Sequence, residues 1–165
     1  GYTWEEYLQQ ITQNVDHFRQ KYDEVVITEE EEAFYRQFPK TVFVLALAED
    51  WCPDVYNNLP VMARLAALTD QIVLRIFPRD RNHDLMHRYL FRGQSLSIPA
   101  FGFFDEQFVE RAKWLGGRPK LLWDWIDKEG KEKARPKIRA FYAENKGREA
   151  LKEFHAIFTR LAEEP

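Results

Sequence analysis

The stretch Val42-Phe43-Val44-Leu45-Ala46-Leu47-Ala48-Glu49-Asp50-Trp51-Cys52-Pro53-Asp54 decides how the chain reads. Its opening residues, Val42 to Ala48, form the longest uninterrupted apolar run in the sequence. That run has the length of a buried strand, predicted over 41–48, and is too short to span a bilayer. A turn follows, and residues 54–68 carry a helical stripe of Val55, Leu59, Met62, Leu65 and Ala66. Cys52 therefore stands at a helix N-terminus. There the unsatisfied backbone N–H groups and the positive end of the helix dipole favour thiolate over thiol. Pro53 suits the first turn, where its missing N–H is not needed. Asp54 acts in the opposite sense, because a carboxylate near the sulfur opposes its ionisation. The sequence leaves the balance between these two influences open.

Downstream, 72–77 reads as a second buried strand, and Asp80 can cap a helix running to about residue 91, with Leu85, Met86, Tyr89 and Leu90 inward. A third strand is predicted over 99–105 and a fourth over 108–115, joined around Glu106-Gln107 and closed by Gly116-Gly117. The order β-α-β-α-β-β describes an α/β sheet with helices on both faces. A parallel pair is made by right-handed crossover, and an antiparallel hairpin is added at the edge. Upstream, Trp4, Tyr7, Leu8, Ile11, Val15, Phe18 and Tyr22 recur at three- and four-residue steps and predict one helix. Thr3 with Glu6, and Thr28 with Glu31, have capping-box spacing. The acidic opening Glu29 to Glu32 reads as a solvated first turn favoured by the helix dipole rather than as a cation site, and Phe38-Pro39 ends this second helix. Beyond Arg118 the pattern is helical throughout, with apolar faces at Leu121, Leu122, Trp125 and Ile126, at Ile138, Phe141 and Tyr142, and from Leu151 to Leu161. Gly130, Pro136 and Gly147 are the expected breaks. A single domain is expected over 1–165: N-terminal helices in 1–40, a sheet core in 41–120, and C-terminal helices in 121–165 docked on that core to bury their stripes.

The 165 residues, 45% hydrophobic and 15% aromatic, support a dense core and exclude a disordered chain. With 24 basic and 27 acidic residues the net charge is −3, which gives no electrostatic reason to expect nucleic acid or an anionic membrane as partner. The single cysteine rules out an intrachain disulfide, a multi-cysteine zinc site and a self-contained dithiol pair. Residues 1–6 lack the basic and apolar segments of a signal peptide, and with one unpaired cysteine a cytoplasmic location is expected. His83 and His87 have metal-capable spacing but no third ligand, so they read as surface residues, and no metal or cofactor is expected. His17 and His155 read as structural. Arg75, Arg79, Asp80, Arg81 and Asp84 read as exposed ion pairs. The aromatics Trp4, Phe18, Trp123, Trp125, Phe141 and Phe154 read as core.

Ser97-Ile98-Pro99-Ala100 precedes the third strand. A proline at a strand entry is a candidate cis peptide, and such a bend can present backbone N–H and C=O groups to an extended substrate. Asp50-Trp51-Cys52-Pro53-Asp54 and Ser97-Ile98-Pro99-Ala100-Phe101-Gly102-Phe103-Phe104-Asp105, in this order of elements, resemble the thioredoxin superfamily over roughly 41–120. The closest similarity is to its branch with an Asp-Trp-Cys-x-Asp motif. The resemblance implies a thioredoxin-like mixed sheet of four or five strands with flanking helices. It makes Cys52 the nucleophile, Trp51 the aromatic beside it and Pro99 the cis-proline facing it, with Gly116 or Gly117 near the substrate groove. Trp51, Pro53, Asp54, Ile98, Pro99 and Gly116 are then the expected substrate-binding set.

The departures matter as much. The family's resolving cysteine falls at Val55, and the buried strand carboxylate at Ala46; Glu49 and Asp50 fall at the exposed end of the strand. Two functions follow. One is a monothiol thiol–disulfide oxidoreductase acting on protein or low-molecular-weight thiols and disulfides, whose mixed disulfide an external thiol must release. The other is a non-catalytic protein-binding module with a vestigial site, in which Cys52 is a small semi-buried hydrophobe. Iron–sulfur ligation by paired subunits, as in some monothiol glutaredoxins, is disfavoured because their Gly-Phe-Ser is replaced here by Pro53-Asp54-Val55. The oligomeric state is left open.

Overall fold

A computed structural model describes residues 1–165. The apolar run forms β1 (Val42–Ala48), held between two neighbours in a four-stranded sheet of order β2-β1-β3-β4. Helix α4 (Pro53–Ala66) crosses from β1 to β2 (Ile72–Pro78), which lies parallel to β1 with Val42 opposite Ile72 and Ala46 opposite Ile76. β3 (Ala100–Phe104) runs antiparallel on the other side, Leu45 facing Gly102, and β4 (Glu110–Trp114) completes the edge with an irregularity at Phe103/Phe104. β4 starts later than expected. Phe108 is left-handed, at φ 60°, and the Asp105 carboxylate accepts the amides of Gln107 and Val109, so the turn extends into the predicted strand.

Paired residues share a face, so Val44, Ala46, Phe101 and Phe103 point the same way. Helix α8 (Arg148–Glu163) covers that face. Its Phe154 meets Phe101 and Trp114 edge-on at 5.3 and 5.0 Å, and Phe158 meets Phe103 at 5.5 Å. Tyr35 and Phe38, at and beyond the end of α3 (Glu29–Arg36), close over Phe158. On the opposite face Tyr89 lies against Gly102, where a Cβ would collide with the phenol; its hydroxyl donates to Glu110 at 2.5 Å. Both expected capping boxes are formed, at Thr3 with Glu6 and at Thr28 with Glu31.

Three helical expectations are corrected. The N-terminal stripe is divided between α1 (Trp4–Gln10) and α2 (Val15–Glu24), with Asn14 left-handed at φ 61°. The Asp50 carboxylate takes the amides of Thr12 and Gln13, which a continuous helix would have used internally. The segment after β2 is a helical turn at Arg79–Arg81, a four-residue α5 (His83–Met86) and a further turn at His87–Tyr89. Asn82 rather than Asp80 precedes α5, with its amide bonded back to the Pro78 carbonyl, while Asp80 pairs with Arg79. Met86 and Tyr89 are buried there; Leu85 and Leu90 are only half-buried. His83 and His87 are exposed. Finally, α6 (Lys120–Glu129) and α7 (Lys131–Glu144) are separated at Gly130 and α8 begins after Gly147, but Pro136 lies inside α7. It sits early in that helix and removes one backbone hydrogen bond without ending it.

Of the aromatics expected in the core, Phe18 and Phe154 are fully buried. Trp125 and Phe141 are half-buried around a small second cluster of Leu122, Ala134 and Ile138 between α6 and α7. No helix is long and apolar enough to cross a membrane.

Candidate active site

β1 delivers the chain to a tight turn at Glu49–Trp51, and Cys52 becomes the N-cap of α4 at φ −90° and ψ 121°. Asp50 fixes this turn from behind. Besides binding the Thr12 and Gln13 amides through its carboxylate, it accepts the Asn14 side-chain amide on its backbone oxygen at 2.9 Å. Trp51 stands outward, 45% exposed, with the Arg79 guanidinium 5.1 Å from its ring centre. The half-buried Cys52 Sγ lies 3.7 Å from the carbonyl oxygen of Ile98. Ile98 and Pro99 are buried, and the peptide between them is cis. The two sequence motifs, 46 residues apart, thus meet at one sulfur–carbonyl contact.

The glycine at this contact is Gly117 rather than Gly116. Gly116 packs beneath Trp123 and Phe91, whereas the Cα of Gly117, at φ +78°, abuts the Ile98 carbonyl so closely that a Cβ would overlap its oxygen. Asn58, on α4 and 1% exposed, donates to the Gly117 carbonyl at 3.0 Å and locks the same loop to the helix bearing Cys52. Gly117→Ala combines a left-handed backbone with a backbone clash. It is expected to cost about 2 kcal/mol and to change the alkylation rate of Cys52; denaturant titration and thiol kinetics on one sample check both.

Asp54 does not face solvent. Arg118 donates to its Oδ2 from Nη2 at 2.6 Å and Nε at 3.1 Å, and Tyr142 Oη donates to Oδ1 at 2.8 Å. Asn58 in turn donates to the Tyr142 oxygen at 3.0 Å. Burial pushes the Asp54 carboxyl above its usual range, opposed by Arg118 and the Tyr142 hydroxyl. Desolvation and the Asp54 charge hold the Tyr142 proton in place. For Cys52 the balance left open by the sequence is decided against the thiolate. Burial first, and the Asp54 charge second, push the thiol above the ordinary cysteine value, outweighing the Val55 and Asp54 amides at the helix start and the Arg118 cation. Ala46 and Val55, where thioredoxins carry a carboxylate and a second cysteine, are completely buried.

Beside the sulfur lies a cavity of about 740 Å³ between α2, α4 and α7. Cys52, Pro53, Asp54 and Tyr56 form one wall, His17 and Lys21 a second, and Arg135, Ile138, Arg139 and Tyr142 a third. His17, read from sequence as structural only, stacks on Tyr56 at 4.6 Å and faces this space. Arg118, Tyr142 and Asn58 were not marked by any local motif.

The sequence profile described as thioredoxin matches residues 1–135, and the chain belongs to the thioredoxin family. Among solved structures, a protein of unknown function from Pseudomonas aeruginosa is 19% identical, with a TM-score of 0.67 over 98% of this chain and 99% of that one. An HIV epitope scaffold is 20% identical, with a TM-score of 0.65 over 96% and 98% of the two chains. At these identities the likeness is one of fold, and it takes in the terminal helices. No curated protein matches the chain.

Proposed function

We propose that this protein exchanges thiols and disulfides through Cys52 alone. The sulfur attacks one sulfur of a disulfide, the new Cys52–S bond forms as the old S–S bond breaks, and the departing thiolate takes up a proton. An external thiol then attacks the mixed disulfide and restores Cys52, so that two electrons pass from that thiol to the original disulfide. The observation that carries this reading is the 3.7 Å approach of Cys52 Sγ to the Ile98 carbonyl beside the cis peptide, in a cysteine that also lines the adjoining cavity.

The raised thiol sets the pH dependence. Only the thiolate attacks, so Cys52 in the folded protein is expected to react with iodoacetamide more slowly than free cysteine at pH 7, with a rate still climbing above pH 9. A plateau at neutral pH would contradict the burial argument. The exchange itself is tested with a neutral disulfide such as hydroxyethyl disulfide at pH 8. Folded protein should gain one adduct by mass and lose it on addition of a thiol; an adduct that forms only in urea would overturn the proposal.

One observation favours the second reading, a binding module with a vestigial site: both major influences on Cys52 stabilise the unreactive thiol. Partner capture by the Cys52→Ser variant separates the two. Undiminished capture supports the binding module, and lost capture supports the chemistry.

A further inference from the structure

The cavity beside Cys52 has a charge that the whole chain does not. The protein carries a net −3, yet the cavity is lined by Lys21, Arg118, Lys131, Arg135 and Arg139 against only Glu24 and Asp54. Both carboxylates are already engaged: Glu24 pairs with Lys21 at 2.7 Å, and Asp54 with Arg118. The three remaining cations stand on α7 at four-residue intervals and so form one stripe along the helix. Arg135 has an acidic neighbour only in Glu132, 3.8 Å away and 89% exposed; Lys131 and Arg139 have no ion pair. Four residues of helix rise about 6 Å, so the stripe runs for about 12 Å. A single phosphate would call for cations converging on one point. Cations spread over this length suit separated charges, and three extended residues of peptide reach about 10 Å. The volume lies within the range of small-molecule sites.

Resting on the exchange reaction proposed above, we infer that the cavity selects the second sulfur: it takes a low-molecular-weight thiol, or its disulfide, of about tripeptide size with separated carboxylates. The carboxylates lie along Lys131, Arg135 and Arg139 while the ligand sulfur reaches Cys52. This ligand supplies the external thiol that Val55 cannot. Its thiolate attacks the outer sulfur of the mixed disulfide held on Cys52, the Cys52 sulfur leaves and takes up a proton, and the ligand departs joined to that outer sulfur as a disulfide.

The test compares adduct formation from oxidised glutathione, which is anionic, with neutral hydroxyethyl disulfide and cationic cystamine. Each rate is divided by the same reagent's rate on free cysteine. The expected order is anionic over neutral over cationic, with about a tenfold preference for the first over the second in low salt, eroded by added salt. Arg135→Glu combined with Arg139→Glu should abolish the preference, measured against the neutral reagent in the same variant. Lys133→Glu, on α7 but outside the cavity, should retain it. Equal relative rates for all three reagents, or loss of the preference with Lys133→Glu as well, would overturn the inference and leave the exchange reading standing. Absence of every adduct would instead remove the reading on which it rests. A binding readout independent of the reaction is titration of the Cys52→Ser variant with S-methylglutathione. Saturable binding lost in the Arg135/Arg139 variant supports the site, and no binding at millimolar ligand argues against it.

Discussion

Asp54→Asn should make the cysteine of this protein more reactive with little loss of stability. Asp54 and Arg118 face each other at 2.6 Å with side chains only 13% and 16% exposed. The raised Asp54 carboxyl means that the fold disfavours its charge despite Arg118, so a neutral isostere that still accepts from Tyr142 is tolerated. The same change removes the anion that opposes ionisation of Cys52 and leaves the Arg118 charge that favours it. Urea titration and the pH profile of alkylation therefore separate: a nearly unchanged unfolding midpoint, and faster alkylation at pH 7. Arg118→Gln supplies the contrast, stranding the Asp54 carboxylate in a desolvated place at a cost of about 3–5 kcal/mol while slowing alkylation. If Asp54→Asn left the alkylation profile unchanged, the carboxylate would have no hold on the sulfur, and burial alone would account for the raised thiol.

Phe154→Ala should destabilise by about 3–5 kcal/mol, the range for emptying a buried aromatic site. Phe154 is fully buried, edge-on to both Phe101 and Trp114, and thereby joins α8 to β3 and β4 at once. The surrounding rings belong to a sheet and to a 16-residue helix, neither of which can easily collapse into the space. Against a total stability of about 5–15 kcal/mol, such a loss is expected to bring the unfolding midpoint down sharply in one cooperative transition. A cost below about 1 kcal/mol, or a separate early transition, would mean that the terminal helix contributes little to the core and that the sheet folds without it.

How much of this could be read in the chain depends on how local the determining interaction is. β1 is visible because Val42–Ala48 has no polar interruption, and both capping boxes because Thr and Glu stand three residues apart. The break between α1 and α2 is hidden because the apolar spacing continues from Ile11 to Val15; what ends the helix is Asp50, about 37 residues later, competing for its amides. The short helical pieces after β2 follow from the Asn82 side chain bonding to the Pro78 carbonyl, which periodicity does not register. At the site, the meeting of Cys52 with the Ile98–Pro99 loop was legible through two motifs in their expected order. The charge network was not, since Arg118 and Tyr142 reach Asp54 across 64 and 88 residues and belong to no pattern around it. Nor could spacing choose between adjacent glycines: Gly116 and Gly117 differ only in which faces Ile98 and which faces Trp123.

On the exchange proposed for Cys52, the completely buried Val55, one helical turn from the sulfur, would govern how long a captured molecule stays. In a dithiol protein the neighbouring sulfur expels its passenger almost at once, so occupancy reports encounter rates. With valine there, expulsion would wait for a collision from outside, and occupancy would report how much reduced thiol the surroundings hold. A side chain without sulfur would thereby turn a transient into a record.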